Sequence, residues 1–104
     1  MSRVRTRIDR LLAGAEPFVV IGDYNTAPTE PAYGRLAAGL RDVHTEIGSG
    51  PGWTWRPSSL ESLGIGLLRI DLVLVGPGVA PIATAVDCGK PGDHCLVDAT
   101  IDVP

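Results

Sequence analysis

The stretch from Phe18 to Pro31, Phe18-Val19-Val20-Ile21-Gly22-Asp23-Tyr24-Asn25-Thr26-Ala27-Pro28-Thr29-Glu30-Pro31, constrains this chain more than any other. Four apolar residues, three of them β-branched, followed by Gly22 predict a short, fully buried strand. Asp23 and Asn25 follow at once, where such a strand opens into a loop, and the prolines forbid its continuation. Strand ends of this kind are where α/β proteins hold polar working groups. A carboxylate and a carboxamide presented side by side suit a hard metal ion or a phosphate oxygen.

Leu67 to Val75 is the most strand-like run in the chain. A period of two sends Leu68, Ile70, Leu72 and Leu74 to one face and Arg69, Asp71 and Val73 to the other. An aspartate in so apolar a run must be paired or hydrogen-bonded, because a bare buried carboxylate is very costly. Its partner is either Arg69, on a half-exposed face, or an imidazole, for which His94 is the natural candidate. Gly76-Pro77-Gly78 turns the chain into a further strand from Val79 to Val86, irregular at Pro81. Gly89-Lys90-Pro91-Gly92 then delivers Asp93-His94. The terminal residues alternate, with Val97, Ala99, Ile101 and Val103 set against Leu96, Asp98, Thr100 and Asp102. They predict a half-buried strand on which Asp98 and Asp102 are solvated rather than catalytic.

Gly22-Asp23-Tyr24-Asn25, then Arg69-Ile70-Asp71, then Asp93-His94, each in its strand or loop context, resembles the endonuclease/exonuclease/phosphatase superfamily, and in the family's order. The resemblance covers essentially the whole chain but only the second half of the family domain. The fold it implies is α/β: half of a two-sheet β-sandwich flanked by helices, with residues 1–104 as the C-terminal portion of the domain. The implied activity is metal-dependent phosphoester hydrolysis. Asp23 would activate the attacking water, and Asn25 would hold a phosphate oxygen through its amide. His94 would donate to the phosphoryl oxygens, with Asp71 fixing its tautomer and favouring the imidazolium. Asp93 and Asp23 would serve a magnesium or manganese ion.

Two positions depart from the family pattern. Gly92 stands where a hydroxylated residue commonly precedes the Asp-His pair, and Cys95 follows it. The early Asn and main metal-binding Glu of the family's first half have no counterpart here. The isolated chain is therefore expected to bind metal poorly and to be weak or inert, the missing half being a required partner. The strand edges and apolar surface that this half would cover predict self-association as a two-fold dimer. The rival reading is a non-enzymatic binding or assembly module.

The rest of the sequence is less specific. Val4, Ile8, Leu11 and Leu12 recur at helical spacing over residues 2–13, which predicts an amphipathic helix ended by Gly14. Its arginines read as a solvated face rather than an anion site. Pro31 opens a second helix to about residue 39, with Ala32, Leu36, Ala37 and Leu40 on its buried side. Leu40 to His44 is ambiguous, Gly48 to Gly52 is a loop, and His44 reads as a surface or capping residue rather than a ligand. Trp53-Thr54-Trp55 predicts a strand with both tryptophans on one face. Thr54-Trp55 matches a family pair near the substrate groove, and a core anchor is the alternative. Residues 58–66 form a connection.

Hydrophobic residues make up 44% of the chain and charged ones 20%, a globular balance. The net charge is −3, yet four arginines lie within the first ten residues, so the body is more acidic than the total suggests. That argues against duplex DNA, whose phosphates need a basic face, but not against a phospholipid head group, a small phosphate ester or another nucleic acid. No apolar run approaches the length of a membrane span. Cys88 and Cys95 are expected to be separately buried free thiols. Oxidised, they would close a short loop and stabilise by roughly 2–3 kcal/mol.

Overall fold

The computed structural model describes residues 2–63, 66–89 and 91–104, so Gly64 and Ile65 of the 58–66 connection and Lys90 of the 89–92 loop lie outside the described residues. Helix α1 (Ser2–Ala13) leads to strand β1 (Val19–Asp23), helix α2 (Pro31–Ala37), strand β2 (Arg41–Asp42) and helix α3 (Val43–Ile47). A one-turn helix α4 (Ser58–Glu61), strand β3 (Asp71–Val75), and the strands β4 (Ala80–Asp87) and β5 (Leu96–Asp102) complete the order. Among the described residues there are two antiparallel sheets: a three-stranded one ordered β1-β3-β2 and the β4-β5 hairpin. The fold is α/β, as expected.

Strand β3 is the centre of the molecule because both its faces are apolar. Leu72 and Leu74 pack with Ile8 of α1 and Leu36 of α2, and Val4, Leu12, Ala37 and Leu40 close around them. Val73 and Val75 pack on the opposite side with Val43 and Val79, against Val97, Ala99 and Ile101 of β5. Side chains buried to this extent each contribute about 1.5–3 kcal/mol relative to exposure, so β3 is where the two layers are joined. Helix α1 is held as well by Arg5, whose guanidinium donates to the carbonyls of Leu36 (3.1 Å) and Ala38 (2.7 Å) at the end of α2. Those carbonyls have no partner within their own helix, so a cation there is favoured twice, by hydrogen bonding and by the helix dipole.

Several expectations are corrected. β1 is not a fully buried strand: it lies at the sheet edge, and Ile21 is 69% exposed. Val19 and Val20 reach the two apolar clusters while Ile21 does not, so β-branched composition alone over-states burial. Leu11 is exposed, because the α1 stripe that meets the core runs through Val4, Ile8 and Leu12. The long strand expected from Leu67 is regular only from Asp71, and Leu67 and Leu68 are exposed. There the chain leaves the ladder, and Leu68 forms an isolated bridge with Trp55. Val103, expected on the inner face of the last strand, lies beyond β5 and is exposed.

The ambiguous segment after α2 is resolved by Asp42. Its carboxylate accepts from the Thr45 N–H (3.2 Å), capping α3, so a two-residue strand turns directly into a helix. The same carboxylate takes a 2.7 Å bond from the Tyr33 hydroxyl and a 3.0 Å ion pair from Arg69, both partners of that pair being buried. Arg69 also donates to the Thr45 hydroxyl at 3.1 Å. Arg69 is thus committed to Asp42, which leaves Asp71 to another partner. Pro81 sits where the β4–β5 register shifts, as its missing N–H requires.

Candidate active site

Asp23 ends β1 and Asp71 begins β3, and the antiparallel register sets them directly opposite each other. Residues so paired project on the same face with neighbouring side chains. The turn after Asp23 is built by its own carboxylate, which accepts the Asn25 N–H at 2.9 Å. Asn25 has φ +48°, in the left-handed region that asparagine tolerates better than most residues. Asp23 and Asn25 therefore act as one local unit, the acid shaping the loop that carries the amide.

His94 comes to the two acids from the connection between β4 and β5. Its Nδ1 lies 2.7 Å from Asp71 Oδ2, and its Nε2 lies 3.4 Å from Asp23 Oδ2. The imidazole is thus held between two carboxylates. Its pKa is raised above the ordinary imidazole value, first by the hydrogen bond to Asp71, with the charges of Asp71, Asp23 and Asp93 adding and burial opposing. The protonated ring has a donor at each nitrogen, which is what a group facing developing negative charge needs.

The surroundings fix each member. Thr54 is almost fully buried, and its hydroxyl accepts the backbone N–H groups of both Ile70 and Asp71 at 3.0 Å. It satisfies two donors where the strand ladder is interrupted, and so anchors Asp71 at the start of β3. Of the alternatives open for Thr54, the structure gives it the buried anchoring position. The expected aromatic-polar-aromatic strand is absent: Trp53 is exposed, Thr54 is buried, and only Trp55 bridges, to Leu68 and to His94. Cys95 N–H donates to the Thr54 carbonyl at 2.6 Å, and Arg56 N–H to the Asp93 carbonyl at 2.9 Å, one on each side of His94.

Cys88 and Cys95 are joined in a disulfide, contrary to the expectation of free thiols. They lie just beyond the last hairpin pair, Asp87 with Leu96, and the hairpin brings their Cα atoms to 4.4 Å. That falls within bridging range, which sequence spacing alone does not fix. Arg56 was not anticipated. It is fully buried, with Nε donating to the Gly92 carbonyl at 3.2 Å and Nη1 to the Cys88 carbonyl. The one sequence signal was its isolation, as the sole cationic residue between Arg41 and Arg69.

The remaining site candidates fall as follows. Asp93 is exposed and adjoins His94 in the chain, with its carbonyl used by Arg56. It is not among the acids gathered around the imidazole; the group whose ligand atoms lie within 4.8 Å of one another is Asp23, Asp71 and His94. Two carboxylates and an imidazole are donors that a divalent cation accepts, though fewer than the six or more oxygens of a complete hard-cation shell. A cleft of about 400 Å³ opens beside Asp23 and Asp71, with Ile21, Val73 and Val97 along its walls. His44 bonds the Gly50 carbonyl at 2.9 Å, so it serves the 48–52 loop rather than the acid cluster.

These features define an α/β chain of two antiparallel sheets with an Asp-His-Asp cluster at the strand ends. The chain belongs to the Endonuclease/Exonuclease/phosphatase family, whose model matches residues 3–94. Among solved structures it is similar to the 3′ phosphatase NExo from Neisseria bound to a product DNA hairpin. The two share 23% identity at a TM-score of 0.79, over 97% of this chain and 51% of that one. It is similar also to a mannosyl-6-phosphatase from Bacteroides thetaiotaomicron, at 19% identity and a TM-score of 0.77 over 97% of this chain and 43% of that one. A family protein from Bacteroides vulgatus gives 20% identity and a TM-score of 0.76, over 99% of this chain and 42% of the other. At such identities the likeness is one of fold, and the chain spans about half the length of these relatives or less. A comparison with curated proteins found no match.

Proposed function

We propose that this chain is the C-terminal portion of a divalent-metal-dependent phosphoester hydrolase domain. One observation carries the reading: the His94 imidazole is held at 2.7 Å by Asp71 and faces Asp23 at 3.4 Å, a donor beside a carboxylate at the mouth of a cleft. Asp23 takes the proton of the attacking water. The Asn25 amide holds a phosphate oxygen. His94 donates to the phosphoryl oxygens as charge develops, and Asp71 keeps its ring in register. Magnesium or manganese would be held by Asp23, with Asp93, which lies outside the Asp23–Asp71–His94 group, assisting through water, and when bound would polarise the phosphoryl oxygen. The family match supports this reading, as do relatives named as a 3′ phosphatase and a mannosyl-6-phosphatase. The substrate is a phosphate ester, and the acidic body disfavours duplex DNA. Since the chain covers about half of its relatives, activity is expected to require a further segment supplying more metal ligands.

Calorimetric titration of magnesium or manganese into the chain, repeated on Asp23→Ala, tests this. Cation binding that disappears in the variant supports a preformed half-site. Binding that is unchanged in Asp23→Ala overturns the assignment of Asp23.

A second reading, a self-associating assembly module, is favoured by exposed apolar side chains on both sheets: Ile21 at 69%, with Ile82 and Leu96 at 58% each. Sedimentation equilibrium that returns the mass of one chain, together with sharp cooperative melting, removes it.

A further inference from the structure

We propose that Arg56 and the Cys88–Cys95 disulfide are positioning groups which together hold His94 against Asp71, so that opening the disulfide releases the histidine while the sheets stay folded. The proposal rests on the reading of His94 as the group that faces the phosphoryl oxygens. His94 lies on segment 88–95, which leaves β4 after Asp87 and rejoins β5 at Leu96. The described residues of this segment include Gly89, Pro91 and Gly92 and form no ladder of their own, and Gly92 takes φ +118°, a conformation other residues rarely adopt. Order must come from outside it.

Backbone bonds at the Trp55–His94 bridge supply part of that order, and two further features hold the legs on either side. The disulfide ties the two legs of the segment where they leave the hairpin. The buried Arg56 guanidinium reaches both legs, donating to the Cys88 carbonyl on one and to the Gly92 carbonyl on the other, with Nη1 3.8 Å from Cys95 Sγ. A planar fork suits two acceptors held at a fixed separation. The disulfide ties Cys88 to Cys95 and the fork ties Cys88 to Gly92, so Asp93 and His94 lie between two tethered points. Arg56 and Cys95 are buried, but neither they nor Cys88 belong to the two apolar clusters that surround β3, so those clusters can stay packed when the segment loosens.

Cys88 also lines a cleft of about 480 Å³ together with Trp53, Thr84 and Val86, which gives a small dithiol a path to its sulfur. Attack by the dithiol breaks the S–S bond. Two electrons and two protons pass to Cys88 and Cys95 as two thiols, and the dithiol leaves as its own disulfide.

Amide hydrogen exchange on the whole chain, followed by NMR with and without dithiothreitol, tests the proposal. The N–H groups of Arg56 and Cys95, whose bonds to the Asp93 and Thr54 carbonyls bracket His94, should exchange faster on reduction by about tenfold or more, while the β1–β3 amides keep their protection. Arg56→Lys, which retains the charge but not the fork, should give the same local acceleration with the disulfide intact. Unchanged exchange at Arg56 and Cys95 after reduction overturns the proposal, as does simultaneous loss of protection throughout β1 and β3. Reduction acts on the folded protein, so it decides even where the variant does not fold. The readout needs no turnover; failure of the hydrolase reading would instead show as unaltered cation binding in Asp23→Ala.

Discussion

The Asp71 carboxylate and the His94 imidazole, distant in sequence, meet at 2.7 Å where β3 begins and the β4–β5 connection ends. The carboxylate lies opposite Asp23 across the ladder, so a single histidine contacts the ends of two adjacent strands. Its raised pKa follows from that placement.

Replacing Asp71 by Asn removes the charge and weakens the hydrogen bond. The His94 pKa should fall toward its ordinary value of 6.5, as read by NMR titration of the ring. In the parent protein the folded pKa is raised, so the stability contributed by His94 is fully present below the unfolded value. It is lost as pH rises through the folded one. That upper loss should be smaller in urea melts of Asp71→Asn, where only the charges of Asp23 and Asp93 still raise the pKa.

The Asp42–Arg69 pair is buried, and removing one partner strands the other. Asp42→Ala should cost about 3–5 kcal/mol in urea denaturation. Burial pushes the Asp42 carboxyl up, but the bonds from Arg69 and Tyr33 outweigh it and hold the pKa below the ordinary carboxylate range. The contribution is therefore present above the unfolded value and is lost as pH falls through the folded one. Acid melts of the parent chain should show a decline that Asp42→Ala lacks.

Thr54→Val is nearly isosteric but removes the acceptor for one buried and one half-buried N–H group. Each N–H left unpaired should cost about 1–3 kcal/mol. Equilibrium unfolding measures the sum, and Thr54→Ser, which keeps the oxygen, should recover most of it.

Two glycines should respond in opposite directions. Gly52 has φ +65°, and a Cβ there would lie 2.4 Å from the His44 ring, so Gly52→Ala should lower stability by at least roughly 1–2 kcal/mol. Gly34 lies within α2 with open space around it, so Gly34→Ala should raise stability by about 0.5–1 kcal/mol. Thermal melts of the two variants check both.

Local spacing carried much of the fold. The α1 helix is where the Val4-Ile8-Leu12 stripe puts it, β5 alternates as Val97, Ala99 and Ile101 require, and Asp71 was marked as a carboxylate in need of a partner. The less legible features join segments far apart in the chain. Arg69 bonds Asp42 rather than its near neighbour Asp71, Thr54 serves strand residues beyond a connection, and Arg56 reaches across to Cys88 and Gly92. Periodicity reports which face a residue occupies, and none of these pairings repeats.

By itself the sequence determined the strand end that carries Asp23, the apolar run that contains Asp71, the loop that carries His94, and the apolar faces that must be covered. Those follow from side-chain period, β-branching and the backbone limits of glycine and proline, all of which act over a few residues. Tertiary structure alone decided that β1 is an exposed edge, that Cys88 and Cys95 are bonded, and that the Arg56 guanidinium is buried against backbone carbonyls. The reason is that a buried hydrogen-bonding group must find a partner wherever packing brings one, and packing is settled only when the layers on either side of β3 close.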